Sequence, residues 1–160
     1  MDELQIFEFE RDFAGSLRCI PMIVRFKLDH SGVKLSLRQW SHFSRDAREQ
    51  LARMPCEAPA EVTTYRAILI GLIEACTDEP AKTMEIETSP AWACVDHVPD
   101  RVISQAQACG VEPPSLSLWS SWTPLQRFAL FKLTRAGHDN DNFEPALREF
   151  AARLPVAIRA

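Results

Sequence analysis

Apolar residues along this chain recur at spacings of three and four far more often than they alternate, which is the signature of helices with one buried stripe. The longest such stripe runs through Val62, Tyr65, Leu69, Leu72, Ile73 and Cys76 and predicts a helix that starts at Pro59. Before it, Pro21 suits the first turn of a helix carrying Met22, Ile23, Phe26 and Leu28, with Gly32 as a left-handed stop. Ser36-Leu37-Arg38-Gln39 reads as a capping box opening a short helix through Phe43. Ser44 caps a further helix with Ala47, Leu51 and Met54 inside and Pro55 at its end.

In the second half, Pro99 starts a helix through Val102, Ile103, Ala106 and Cys109 that stops at Gly110. Thr123-Pro124-Leu125-Gln126 is a second capping box, followed by Leu125, Phe128, Leu130 and Leu133. Asp141 or Asn142 caps a last helix whose inner positions are Ala146, Leu147, Phe150 and Leu154. Thr77 to Pro99 shows no sustained period and reads as a long connection pinned by Trp92. Only Ile6-Phe7-Glu8-Phe9-Glu10 alternates, as a short edge strand or an extended segment packed on the core. The expected class is therefore all-α, a single helical-bundle domain over 1–160.

The two halves echo each other. Trp40, Phe43, Ser44, Arg48 and Leu51 follow Gly32-Val33, as Trp119, Trp122, Thr123, Arg127 and Leu130 follow Gly110-Val111. The shared register, W-x-x-[FW]-[ST]-x-x-x-R-x-x-L, suggests a duplicated unit over about 20–56 and 99–136: helix, glycine, short helix, capped helix. The two tryptophans are foremost expected to be core anchors.

Composition narrows the function classes. With 160 residues the chain suits one domain. Eighteen basic residues against 22 acidic ones give a net charge of −4, a balance that argues against nucleic-acid binding through phosphate contacts. Met1-Asp2-Glu3 carries acid where a signal peptide needs base, and Ala67 to Ala75 is too short to span a bilayer, so no membrane segment and a cytoplasmic location are expected. Five cysteines at irregular spacing are then expected as free thiols.

No phosphate loop, C-x-x-C, H-E-x-x-H or G-x-S-x-G pattern occurs, so the expectation is a protein that is not an enzyme. What remains is a few polar residues at helix ends. Cys19, beside Arg18 and before a helix start, sits where the helix dipole favours thiolate. With Cys56 after a helix exit and His138 after Gly137, it makes a candidate set for a soft metal or an iron–sulfur cluster, although the spacing matches no standard site. Buried cysteines acting as small hydrophobes are the favoured account, most strongly for Cys76 and Cys109 on apolar stripes and less strongly for Cys19 and Cys56. Arg18, Arg25, Lys27, Lys132 and Arg135 would line an anion or partner contact if the fold gathers them; solvated helix faces are the plainer expectation.

Several strings carry a family likeness. They are Phe7-Glu8-Phe9-Glu10-Arg11-Asp12-Phe13, Leu17-Arg18-Cys19-Ile20-Pro21-Met22, and Val24-Arg25-Phe26-Lys27-Leu28-Asp29. Gly32-Val33-Lys34-Leu35 with Trp40, Met54-Pro55-Cys56, and Thr123 through Leu130 follow, then Asn142-Phe143, Pro145-Ala146-Leu147 and Glu149-Phe150. Over about residues 6 to 150 the chain resembles the nitrate reductase-associated proteins, a bacterial family best represented in cyanobacteria. The resemblance implies an accessory or maturation role beside assimilatory nitrate reductase, a molybdenum enzyme, with the reductase or a molybdenum-cofactor delivery protein as partner. It implies no catalytic residue. Residues 77–98 and Glu112-Pro113-Pro114 carry none of the likeness and are assigned no function.

Overall fold

A computed structural model describes residues 4–159, with side chains for all of these except 138 and 153–159. The described chain is mostly helical, with a two-stranded ladder of two residues per strand as its sheet. It divides into two compact units, one of Met1–Ile6 with Glu10–Glu87, the other of Phe7–Phe9 with Thr88–Ala160.

The first unit holds α1 (Arg11–Ala14), α2 (Met22–Ser31), α3 (Leu37–Ser41), α4 (Arg45–Arg53) and α5 (Pro59–Cys76). Four of these helices have a side-chain partner at their start. Pro21 precedes α2 in extended backbone and brings no side-chain cap; the buried Glu10 carboxylate takes the Met22 N–H instead, at 2.9 Å. Ser36 and Gln39 close a reciprocal capping box on α3, and the Ser44 hydroxyl accepts from Ala47 N–H at the head of α4. At α5 Ala58 has no oxygen to offer, and the Glu61 carboxylate alone reaches back to the Ala58 and Glu57 N–H groups. The core gathers Val24, Leu28, Trp40, Phe43, Leu51, Tyr65, Leu69 and Ile73, all buried.

Gly32 ends α2 at φ 70°, the left-handed turn its sequence position predicts. The turn feeds β1 (Val33–Lys34), which pairs antiparallel with β2 (Lys82–Thr83). Met84 N–H then donates to Gly32 O at 2.9 Å, so a strap from the 77–87 segment lies against the glycine. A Cβ on Gly32 would meet Ile86 and Met84 O at 2.9 Å. The long connection thus contains a strand that the polar run 77–83 did not reveal, because a two-residue ladder needs backbone, not side-chain pattern.

The second unit holds α6 (Asp100–Ala108), α7 (Leu116–Ser121), α8 (Pro124–Lys132) and α9 (Phe143–Arg159). Ser115 caps α7, and Thr123 with Gln126 completes a capping box on α8. Trp92 sits in a 3-10 turn, Ala91–Ala93, and packs edge-on against Phe128 at 5.7 Å, which pins the connection as expected. The alternating run at the N-terminus is not a strand. Glu8–Glu10 forms a 3-10 turn, because the Glu149 carboxylate takes the N–H groups of Glu8 and Phe9 and so supplies partners a strand would have found in a sheet. Phe7 and Phe9 meet Phe150 at 4.9 and 6.1 Å. The expected inner position Leu154 has its side chain outside the described residues.

The echoed register has a matching set of contacts in each unit. Trp40 Nε1 donates to Leu17 O at 2.8 Å, and Trp119 Nε1 to Cys94 O at 2.9 Å. Arg48 bonds Phe43 O and Leu17 O; Arg127 bonds Trp122 O and Trp92 O. The ring pairs Trp40–Phe43 and Trp119–Trp122 stand at 65° and 63°. In both, the arginine fork ties the carbonyl five residues before it to an upstream loop carbonyl.

Candidate functional site

Among the residues singled out by sequence, the fold brings Lys27 and Cys56 together. Lys27 lies on the inner face of α2, only 6% exposed. Its ammonium donates to Ala52 O at 2.8 Å and to Met54 O, and stands 5.9 Å from the centre of the Tyr65 ring. Those carbonyls lie at the end of α4, where the final turn lacks intrahelical donors and the dipole favours a cation. Tyr65, from α5, completes the arrangement by donating to Leu51 O at 2.8 Å. Burial raises the Tyr65 phenol far above its ordinary value.

Cys56, 3% exposed, follows the helix exit as its sequence position indicates, and its thiol points back to Lys27 O at 3.8 Å. Burial pushes the thiol from 9.0 up to about 11, against a smaller opposing pull from the Lys27 charge. At neutral pH it is therefore a thiol, a weak donor rather than a thiolate. Lys27, Cys56 and Tyr65 therefore form a polar knot that ties α2, α4 and α5 through main-chain carbonyls.

Of the other candidates, Arg18, Cys19 and Arg25 belong to the first unit, and Lys132, Arg135 and His138 to the second. Cys19 is half-buried in the turn before α2, where its N–H donates to Phe13 O. Arg18 is exposed, Arg25 half-buried on α2, and Arg135 exposed past α8. Lys132 stands over the Phe128 ring at 5.4 Å. His138 opens the 3-10 turn His138–Asn142 in the second unit, and its side chain lies outside the described residues. Among the described residues, no group of three or more His, Cys, Asp or Glu is placed to hold a metal ion.

Sequence reasoning missed two features. The first is the burial of Arg127, whose guanidinium loses basicity to desolvation while its bonds hold the Trp92 turn. The second is a groove of about 390 Å3 in the second unit, between the Val111–Ser115 connection, α7 and α9. Its lining includes the apolar side chains of Leu118, Leu147 and Ala151 and the charged ones of Glu112, Glu144 and Arg148. The double proline at 113–114 was the one available signal, since it stiffens the groove's wall. No helix among the described residues is long and apolar enough to cross a membrane.

Comparison with known proteins adds one match. Residues 6–150 fit the family model described as conserved nitrate reductase-associated protein. No curated protein and no solved structure matches the chain. With that match covering nearly the whole length and the helical fold beneath it, the chain belongs to the nitrate reductase-associated protein family.

Proposed function

We propose that this protein is a non-catalytic accessory or maturation factor for assimilatory, molybdenum-dependent nitrate reductase, acting in the bacterial cytoplasm. It binds the reductase, or a protein that delivers molybdenum cofactor to it. The observation that carries this reading is the match over residues 6–150 to a family described as nitrate reductase-associated. The interior supports it. Glu10, Lys27, Arg48 and Arg127 aim their polar ends at the chain's own main chain. Side chains committed to backbone carbonyls and N–H groups are held in place by the fold, so contact with a partner falls to the surface.

The test is a strain lacking the protein. Its nitrate reductase polypeptide should accumulate with reduced activity and reduced molybdenum cofactor, both restored by the wild-type gene. The purified protein should also co-elute with the apo-reductase or with its cofactor donor. Full activity and full cofactor loading in the deletion strain would overturn the reading.

A further inference from the structure

We propose that the groove between the Val111–Ser115 connection, α7 and α9 docks an extended segment of the partner protein, one with apolar anchors next to arginine or lysine. This deepens the accessory reading and rests on its claim that a protein partner exists.

Three observations converge on that occupant. The groove's volume, about 390 Å3, is room for one or two apolar side chains over Leu118, Leu147 and Ala151. Its charge is unbalanced. Arg148 pairs with Glu144 at 3.5 Å one turn away on α9, which leaves Glu112, exposed and in no ion pair among the described residues, as the remaining carboxylate of the lining. Its wall is rich in acceptors. None of the carbonyls from Val111 to Pro114 accepts a hydrogen bond among the described residues, and Pro113 and Pro114 have no N–H to offer. An acidic, acceptor-rich lining that also carries apolar side chains is complementary to a donor-rich, cationic chain: main-chain N–H groups and an Arg or Lys side chain outside, leucine-like side chains within. An acidic segment would place like charge against Glu112.

The probe is a six-residue peptide with two leucines flanked by arginines, titrated into the full-length 15N-labelled chain. A second peptide replaces the arginines with glutamates. The basic peptide should shift the amide signals of Leu118, Glu144, Leu147 and Ala151 saturably, with the effect weakening as salt rises; the acidic one should not. Glu112→Lys should weaken binding about threefold or more, within the range of an exposed charge pair. Ala151→Trp, which adds bulk to the lining, should weaken it about tenfold or more. Glu112 is exposed, so its variant keeps the test sound if Ala151→Trp disturbs α9. The same variants should lose affinity for purified apo-reductase.

Absent groove shifts, equal binding of the acidic peptide, or unchanged affinity in both variants would each overturn the proposal. A wild-type dimer that Ala151→Trp dissolves would overturn it too, with a second copy as the occupant. If the peptide binds as described but neither the reductase nor its cofactor donor binds the wild-type chain, the groove's preference stands and the accessory reading falls.

Discussion

Lys27 shows how one side chain can look functional and act structurally. In sequence it is a cation among cations on an amphipathic helix; in the fold it closes the end of α4 and covers a ring. Its neighbour Cys56 supplies a pH test. A folded thiol raised to about 11 from 9.0 binds its proton more tightly than the unfolded chain does. Its contribution is therefore fully present below pH 9 and is lost as pH rises from about 9 to about 11. Cys56→Ser keeps a donor but does not titrate there. In urea unfolding, wild type should lose stability relative to Cys56→Ser across that window, and a difference independent of pH would show the thiol is not buried as described. A second residue pair separates packing from hydrogen bonding. Trp119 Nε1 bonds Cys94 O, whereas Trp122 Nε1 is buried without a partner among the described residues. Trp119→Phe should thus cost about 1 kcal/mol more than Trp122→Phe, read from their unfolding midpoints, because only the former deprives a carbonyl of its donor.

At the scale of elements, the caps were legible and the strap was not. Ser36, Ser44 and Thr123 each receive the N–H three residues on, as their sequence context indicates. Thr123→Ala should cost about 1 kcal/mol in thermal or urea unfolding, and an unchanged midpoint would mean α8 is held without its cap. Gly32 makes a sharper case. Alanine there would keep φ near 70° at a cost of about 1–2 kcal/mol, and its Cβ would press on Met84 O. Gly32→Ala should therefore destabilise the protein by more than Thr123→Ala does, with faster amide exchange at Met84, whose N–H bonds Gly32 O. The glycine's turn was readable from position alone. The reason nothing larger fits was not, because Met84 and Ile86 lie more than fifty residues further on.

For the whole molecule, the polar groups that first suggested chemistry divide between the units. Cys19 and Cys56 belong to the first and His138 to the second. Among the described residues no three His, Cys, Asp or Glu side chains gather as a ligand set, which makes a concrete expectation. The protein purified without chelators should carry well under one transition-metal ion per chain by elemental analysis. The Cys19→Ser, Cys56→Ser double variant should restore nitrate reductase activity to a strain lacking the protein. Stoichiometric iron or zinc, or a double variant that folds but does not complement, would return the cysteines to the centre of the function. The groove escaped sequence reasoning for a topological reason: its wall and α7 come from 111–118, its other side from 144–151, and neither stretch has a motif by itself.

By itself the sequence determined the helical class, most helix starts, the aromatic anchors and the family. These depend on spacings of three or four residues, or on strings compared whole, and a cap's partner is one turn away. Only the tertiary structure decided what Glu10, Lys27, Cys56, Arg127 and Glu149 do. Each bonds a main-chain group 12 to 141 residues distant, except Arg127's second bond to Trp122. A main-chain N–H or C=O is the same in every residue, so the partner of a side chain that seeks one leaves no mark in the sequence. The fold alone brings that partner within reach.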